Sequence, residues 1–310
     1  MAKISNDEIA RVKALGFLHD KNTEDKFNGR VITRNGKITA EECAAVSEGA
    51  KKFGSGEITL TTRMTMEIQG VPYENIQPLI DFMAEHNLDM GGTTAAVRPI
   101  VSCKGTTCKF GLIDTFAVSQ EIHERFFNGY KDVRFPHKFK IAVGGCPNNC
   151  VKPNLNDIGI IGQRVPTVDT SKCRGCRICQ IEKACPIKAS KVVDGKVSFD
   201  EEKCNHCGRC MNKCPFKAYD NYTNGYKIYL GGRWGKRTAK AHTLSKILTD
   251  REEVMNIVEK SLLLFKDQGI KGERFADTIE RLGFENVEAQ LFSDDLLKRK
   301  DEIIAKEVNV

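Results

Sequence analysis

No stretch of this sequence is apolar for long. The longest run is the few residues around Leu262 to Phe265, far short of the roughly 20 residues that a membrane-spanning helix needs. The opening segment, MAKISNDEIARVK, is polar from its first residues and lacks the apolar core of a secretory signal. Both features predict a cytoplasmic protein with no membrane span. Tyrosines number six and do not interleave with basic residues, so the stacking pattern of a nucleic-acid binder is missing and no nucleic-acid partner is expected. A dinucleotide fingerprint is missing too. LGGRWGKR, Leu230 to Arg237, follows a strand-like segment but lacks the G-x-G-x-x-G spacing.

Cysteine is abundant, with thirteen residues in the chain. Disulfides are disfavoured in a reducing compartment, so metal ligation is the first explanation. Twelve of the thirteen fall between Cys103 and Cys214, in spaced groups, and Cys43 stands alone. Cys43 lies in the helical pattern TAEECAAVSEGAKKF and reads as a small core residue. The net charge is +7. Anionic cofactors account for that excess: each four-thiolate 4Fe–4S cluster carries a charge of about −2.

The 310 residues suffice for two or three domains. In the first, residues 1–92, GRVITRNGKIT (Gly29 to Thr39) predicts a hairpin turning at Asn35-Gly36. Ala40 to Phe53 predicts a helix ended by Gly54. EITLTTRMTMEIQGV predicts one long strand, with Ile58, Leu60, Met64, Met66 and Ile68 on one face and Arg63 on the other. YENIQPLIDFMAEHNL is a second amphipathic helix. A second unit comprises residues 93–164 and 222–310, with strand-like VRPIVSC, KFKIAVGG and GYKIYLGG and a charged helical tail that carries no obvious chemistry. A cysteine-rich insert, residues 165–221, interrupts it.

The insert holds two runs. CNHCGRCMNKCP supplies Cys204, Cys207, Cys210 and Cys214 at the bacterial ferredoxin spacing C-x2-C-x2-C-x3-C-P. CRGCRICQIEKACP supplies Cys173, Cys176, Cys179 and Cys185, with five residues before its last cysteine. Two structural zinc sites are the alternative. Three thiolates at x2-x2 spacing suit a corner of a cubane, whereas zinc sites generally use separated pairs. By the crossed ligation of two-cluster ferredoxins, Cys214 would join Cys173, Cys176 and Cys179. Cys185 would join Cys204, Cys207 and Cys210.

Cys103 and Cys108, then Cys146 and Cys150, complete the set. Their arrangement resembles the sirohaem and 4Fe–4S signature of sulfite and nitrite reductases, C-x5-C followed by C-x3-C; here the first spacing is C-x4-C. LTTRMTMEI, VRPIVSC and FPHKFKIAV resemble the family segments that carry two substrate-binding arginines and two lysines, which here are Arg63, Arg98, Lys138 and Lys140. The layout is similar to dissimilatory sulfite reductase subunits and to the C subunit of anaerobic sulfite reductases. The resemblance implies an α+β fold: a ferredoxin-like half-module and a sirohaem–4Fe–4S α/β domain, with a bacterial-type two-cluster ferredoxin inserted. It also implies six-electron reduction of sulfite to sulfide, with sirohaem and three 4Fe–4S clusters as cofactors.

In such a site Cys150 would bridge cluster and sirohaem iron. The arginines would hold the oxyanion, and the lysines, their pKa lowered by neighbouring cations, would release protons. Lysine at 140, where nitrite reductases of the family usually carry asparagine, favours sulfite. Nitrite reduction to ammonia is the alternative, and an electron-transfer subunit with a vestigial sirohaem site is a further one. Electrons would come from an external ferredoxin-like or flavin/NADH donor. With one half-module where larger family members have two, a homodimer or hetero-oligomer is expected.

Overall fold

The computed structural model describes residues 4–309. Helix α1 (Asn6–Ala14) begins at Ser5, whose hydroxyl accepts the Glu8 N–H. Strands β1 (Phe17–His19) and β2 (Lys26–Val31) follow. Helix α2 (Ala40–Phe53) opens on a capping box in which Thr39 and Glu42 each accept the other's backbone N–H, satisfying two donors that a helix start leaves free. Strands β3 (Ile58–Leu60) and β4 (Met66–Pro72) and helix α3 (Ile76–Glu85) complete the first unit. Its sheet is antiparallel in the order β1-β2-β4-β3. Phe17, Phe27, Val46, Ile68 and Leu79 are fully buried in one apolar cluster of this unit.

The segment expected as one long strand is a hairpin instead. Thr61 ends the strand: its hydroxyl accepts the N–H groups of Arg63 (3.2 Å) and Thr65 (3.3 Å) and pairs with the Thr65 hydroxyl at 2.6 Å. This local capping competes with the sheet ladder. Met64 adopts a left-handed φ of 59°, and Leu60, expected in the core, is 77 % exposed. Arg63 therefore sits on a turn rather than on a strand face. Asn35 and Gly36 do form a turn, both with positive φ, closed by an Arg34–Lys37 bridge rather than by extended strands. Cys43, expected to be buried, is exposed on α2.

The second sheet has the order β11-β10-β7-β6-β5. Strands β5 (Val101–Ser102), β6 (Ile141–Gly144) and β7 (Ile158–Thr167) run parallel. Between β5 and β6 lies α4 (Thr115–Ile122), which continues as a wider turn over His123–Asn128. The chain between β7 and β10 leaves the sheet and builds a small body. It contains α5 (Gln180–Ala184), β8 (Ser190–Val193) and β9 (Lys196–Phe199), around buried Ile181, Met211 and Tyr219. Strand β10 (Asn221–Leu230) then returns antiparallel to β7 along its whole length, from Asn221 opposite Thr167 to Leu230 opposite Ile158, and β11 (His242–Thr243) pairs with β10.

The tail packs beneath this sheet. Helix α6 (Arg251–Gln268) is central, wrapped by α7 (Phe275–Leu282), α8 (Phe284–Phe292), α9 (Asp295–Lys298) and α10 (Lys300–Ala305). Burial of α6 extends to its charged residues, which are paired: Glu259 with Lys300, Lys260 with Asp294, Asp267 with Lys306. An aromatic cluster links tail to sheet, with Phe139 5.6 Å from Phe265 and 5.1 Å from Phe275, centroid to centroid.

Phe139 is fully buried and lies between Lys138 and Lys140, so its packing holds the lysine segment. Truncating it in Phe139→Ala is expected to cost about 3–5 kcal/mol, read as a lowered thermal unfolding midpoint.

Candidate functional site

Two parallel strands organise the site. Cys103 follows β5 directly, and its N–H donates to Val143 O at 3.0 Å. Gly145, just past β6, donates its N–H to Cys103 Sγ at 3.1 Å. The two turns touch: a Cβ on Gly105 would fall 2.8 Å from Gly145 Cα, and one on Gly145 would fall 2.8 Å from Gly105 Cα, so both positions require glycine. This approach brings the loop of Cys103 and Cys108 against the turn of Cys146 and Cys150. Burial raises the Cys146 thiol pKa, and Cys103, Cys150 and Cys108 add to the rise. Four thiols that feel one another in one loop cluster are a fit for an iron–sulfur group, whose positive iron would relieve that repulsion.

In the inserted body, one cavity is lined by Cys173, Cys176, Cys179 and Cys214. A second is lined by Cys185, Cys204, Cys207 and Cys210. The last cysteine of each run thus faces the first three of the other. Burial pushes the Cys210 thiol up to about 11, helped by Cys204, Cys207 and Cys185. Among the described residues, no three or more His, Cys, Asp or Glu side chains gather tightly enough to hold a single ion; the thiols line cavities instead.

The basic residues come together from three separate segments: the turn after β3, the approach to β5 and the approach to β6. Lys138 and Lys140 flank buried Phe139, whose backbone bridges to Val97 and whose carbonyl accepts the Arg98 N–H at 2.8 Å. That bond ties the Arg98 segment to the lysine segment. Arg98 Nη1 donates to Gly92 O at 2.7 Å. Arg63 reaches over from its hairpin turn and donates to Pro99 O (2.5 Å from Nη2, 3.1 Å from Nε), Ile141 O (3.0 Å) and Asn156 Oδ1 (2.8 Å). Four of its five N–H groups thereby serve the protein, fastening the first unit to the second.

Two central residues were not anticipated from sequence. Asp157 is fully buried. Its carboxylate accepts Arg274 Nη2 at 2.7 and 2.9 Å and the Lys140 N–H at 2.8 Å. Arg274 comes from the tail that sequence alone marks as scaffold, just ahead of α7. Asp157 is visible in retrospect as an acid at the start of an apolar strand; Arg274, 117 residues away, left no local signal. His137 was also missed. Its Nδ1 accepts the Lys138 N–H at 2.8 Å, which puts any ring proton of the neutral imidazole on Nε2.

The field is strongly positive. Burial brings Arg63 and Arg98 down to about 10, with neighbouring guanidinium groups adding to the effect. Burial, then Arg63, Arg274 and Lys138, bring Lys140 down to about 8. Lys138 is lowered by burial, Arg274 and Arg98, and His137 by burial, Arg274, Lys138 and Arg98. Asp157 opposes these cations. The buried Nε atoms of Arg30, Arg98 and Arg274 have no protein acceptor. Buried donors of this kind call for a partner outside the protein, a water or an anion.

Comparison with known proteins agrees with this geometry. Residues 93–300 match the nitrite and sulphite reductase 4Fe-4S domain, and residues 19–86 match the nitrite/sulfite reductase ferredoxin-like half domain. The coenzyme F420-dependent sulfite reductase of Methanocaldococcus jannaschii is 31% identical over 79% of this chain, which spans 38% of that protein. The dissimilatory-type sulfite reductase alpha subunit of Allochromatium vinosum is 28% identical, over 76% of this chain and 62% of that protein. The C subunit of the anaerobic sulfite reductase of Salmonella typhimurium is 28% identical, over 67% of this chain and 65% of that protein. A crystal structure of dissimilatory sulfite reductase I superposes with a TM-score of 0.69 at 21% identity, over 86% of this chain and 69% of that one. With two family models covering most of its length, the chain belongs to the nitrite and sulphite reductase family of oxidoreductases.

Proposed function

We propose that this chain is the sirohaem-binding subunit of a sulfite reductase, reducing sulfite to sulfide with six electrons. The observation that carries this is the convergence of Arg98, Lys138 and Lys140, on the segments that lead into β5 and β6, with Arg63 reaching over from the hairpin turn of the first unit; Cys103, Cys108, Cys146 and Cys150 lie beyond the far ends of those two strands. Residues 1–92 would form the half-module, 93–164 with 222–310 the sirohaem and cluster domain, and 165–221 a two-cluster ferredoxin. Cys103, Cys108, Cys146 and Cys150 would hold one 4Fe–4S cluster, with Cys150 as the thiolate shared with sirohaem. The two cavities of the insert would hold the other two clusters. When bound, sirohaem and its cluster supply the iron and the electrons.

The chain's own residues then divide the work. Arg98, with its unpaired Nε, holds the oxyanion; Arg63 contributes its one remaining N–H and fixes the wall of the site. Lys138 and Lys140 deliver protons, because their depressed pKa values let them give up a proton that an ordinary lysine retains. His137, its Nδ1 accepting the Lys138 N–H and its pKa lowered by burial, Arg274, Lys138 and Arg98, adds a further titratable group beside Lys138. An external electron donor is required, and the names of relatives as alpha, beta and C subunits support a multi-subunit assembly. The C-x4-C spacing favours a second reading, an electron-transfer subunit with a vestigial haem site; the orphaned buried donors speak for the enzyme.

Anaerobic purification should yield a chlorin-type visible spectrum with iron and acid-labile sulfide for three clusters. Zinc in place of iron would reject this reading. In a viologen-driven assay, Lys138→Met and Lys140→Met are each expected to lose roughly 100-fold or more of sulfite turnover with that spectrum unchanged. Nitrite assayed alongside ranks the two substrates.

A lysine lowered to about 8 loses its proton as pH rises through that value, so turnover that depends on Lys140 should fall above about pH 8. The unfolded chain keeps that proton to roughly pH 10.4. Between these limits it binds more protons than the folded state, so the Lys140 contribution makes stability rise with pH. Isotope-edited NMR of methylated lysines in the loaded protein should show Lys140 titrating below the exposed lysines; titration together with them would overturn the assignment.

A further inference from the structure

The two thiol-lined cavities of the insert face different surroundings. The one with Cys185, Cys204, Cys207 and Cys210 abuts the main body. Cys207 bridges to Arg164 of β7, the Arg164 N–H donates to His206 O at 2.8 Å, and the Arg209 guanidinium lies 5.4 Å from the ring centre of Phe110, two residues past Cys108. The one with Cys173, Cys176, Cys179 and Cys214 lies on the open side. Cys176 is exposed, and the lining residues Ile178 and Phe216 are 66 % and 45 % exposed. The hydrogen bonds that Cys173 receives come from Lys196 and Val197 of the same insert.

Exposed Ile and Phe side chains next to one another are costly unless covered. Around them stand Arg174, Arg177 and Lys217, all exposed. Arg174 lines the cavity and no carboxylate does; none of the three basic residues has an ion-pair partner among the described residues. A bound cluster would contribute about −2, which leaves the rim positive. The combination of a small apolar centre and a cationic rim is that of a weak, electrostatically steered docking site. The inner cavity, by contrast, is turned toward the third cysteine group.

Resting on the sirohaem reductase reading, we propose that the Ile178–Phe216 face with Arg174, Arg177 and Lys217 is where an acidic ferredoxin-type electron donor docks. Electrons then enter at the outer cluster, held by Cys173, Cys176, Cys179 and Cys214. They leave through the inner one, across the Arg209–Phe110 contact, toward Cys108. No atoms are exchanged: each step oxidises the donor's reduced cluster by one electron and reduces the outer cluster by one.

The test uses the full-length protein, loaded and anaerobic, with a small acidic plant-type ferredoxin as probe. Binding is measured by calorimetry at low and high NaCl, and the visible spectrum of each variant reports its clusters. Wild-type binding is expected to weaken with salt. The double variant Arg174→Glu/Arg177→Glu should bind roughly tenfold or more weakly, and Ile178→Ser/Phe216→Ser should also weaken, all with unchanged spectra. A charge-reversal control at exposed Lys21 and Lys51, on the first unit, should bind as wild type. Equal binding by the Arg174/Arg177 variant, or self-association through this face without ferredoxin binding, would overturn the docking site. An insert that holds no iron would instead overturn the functional reading beneath it.

Discussion

A single buried carboxylate sets the geometry of the cationic site. Asp157 is wholly removed from water, where a lone charge would be untenable. It is kept by Arg274 on one side and by the Lys140 backbone N–H on the other, while its own carbonyl accepts the Gly231 N–H at 2.8 Å. One residue thus joins the start of β7, the end of β10, the approach to β6 and the entrance to α7, its carboxylate and its carbonyl sharing the work. Removing either charged partner would leave the other buried and unpaired, which is the expensive way to break such a pair. Yet one carboxylate does not neutralise Arg63, Arg98, Lys138, Lys140 and Arg274. Burial is the first cause that depresses four of these groups, and neighbouring cations add to it.

Much of this was legible in the sequence because the signals are local. Cysteine spacing announces its chemistry within a dozen residues, and Thr39 with Glu42 announces the start of α2 within four. The pairing of Cys185 with the second run and Cys214 with the first follows from a known spacing rule and is matched by the two cavities. What failed to read was nonlocal or competitive. The apolar alternation from Ile58 to Ile68 has strand period, but Thr61 hydrogen-bonds its own loop and turns the chain. Cys43 sits on the first turn of α2, ahead of the buried stripe of Ala45, Val46, Gly49 and Ala50. Arg274 enters the site from a segment whose local pattern is simply that of an amphipathic helix start.

Arg63 shows how a residue's identity and its work can separate. The resemblance assigns it to the substrate; the structure gives four of its donors to backbone and Asn156 acceptors. Since Pro99 and Ile141 flank the strands that carry Arg98 and the cluster thiols, those bonds hold the first unit's hairpin against the second unit's sheet. A guanidinium suits this work because its donors are rigid and cannot lose their proton. Any part of Arg63 in binding would therefore be indirect in large measure: it sets where the wall stands.

Cations and thiols flank one short strand at opposite ends, Lys138 and Lys140 before β6 and Cys146 and Cys150 after it. Lys140 immediately precedes β6 and Gly145 immediately follows it. Four extended residues lie between them, which makes five steps and about 17 Å at the usual rise. Charge on one side cannot act directly on sulfur at the other across that gap. The turn beyond Cys150 narrows it by doubling back, so that Asn156 meets Arg63 and the Ile158 N–H meets Lys140 O at 3.0 Å. The fold therefore presents a cluster of cations and a cluster of thiols framed by the same two strands. A broad cofactor set between them is what such a frame would be for. It would let electrons arrive from the sulfur side and protons from the lysine side without either path crossing the other.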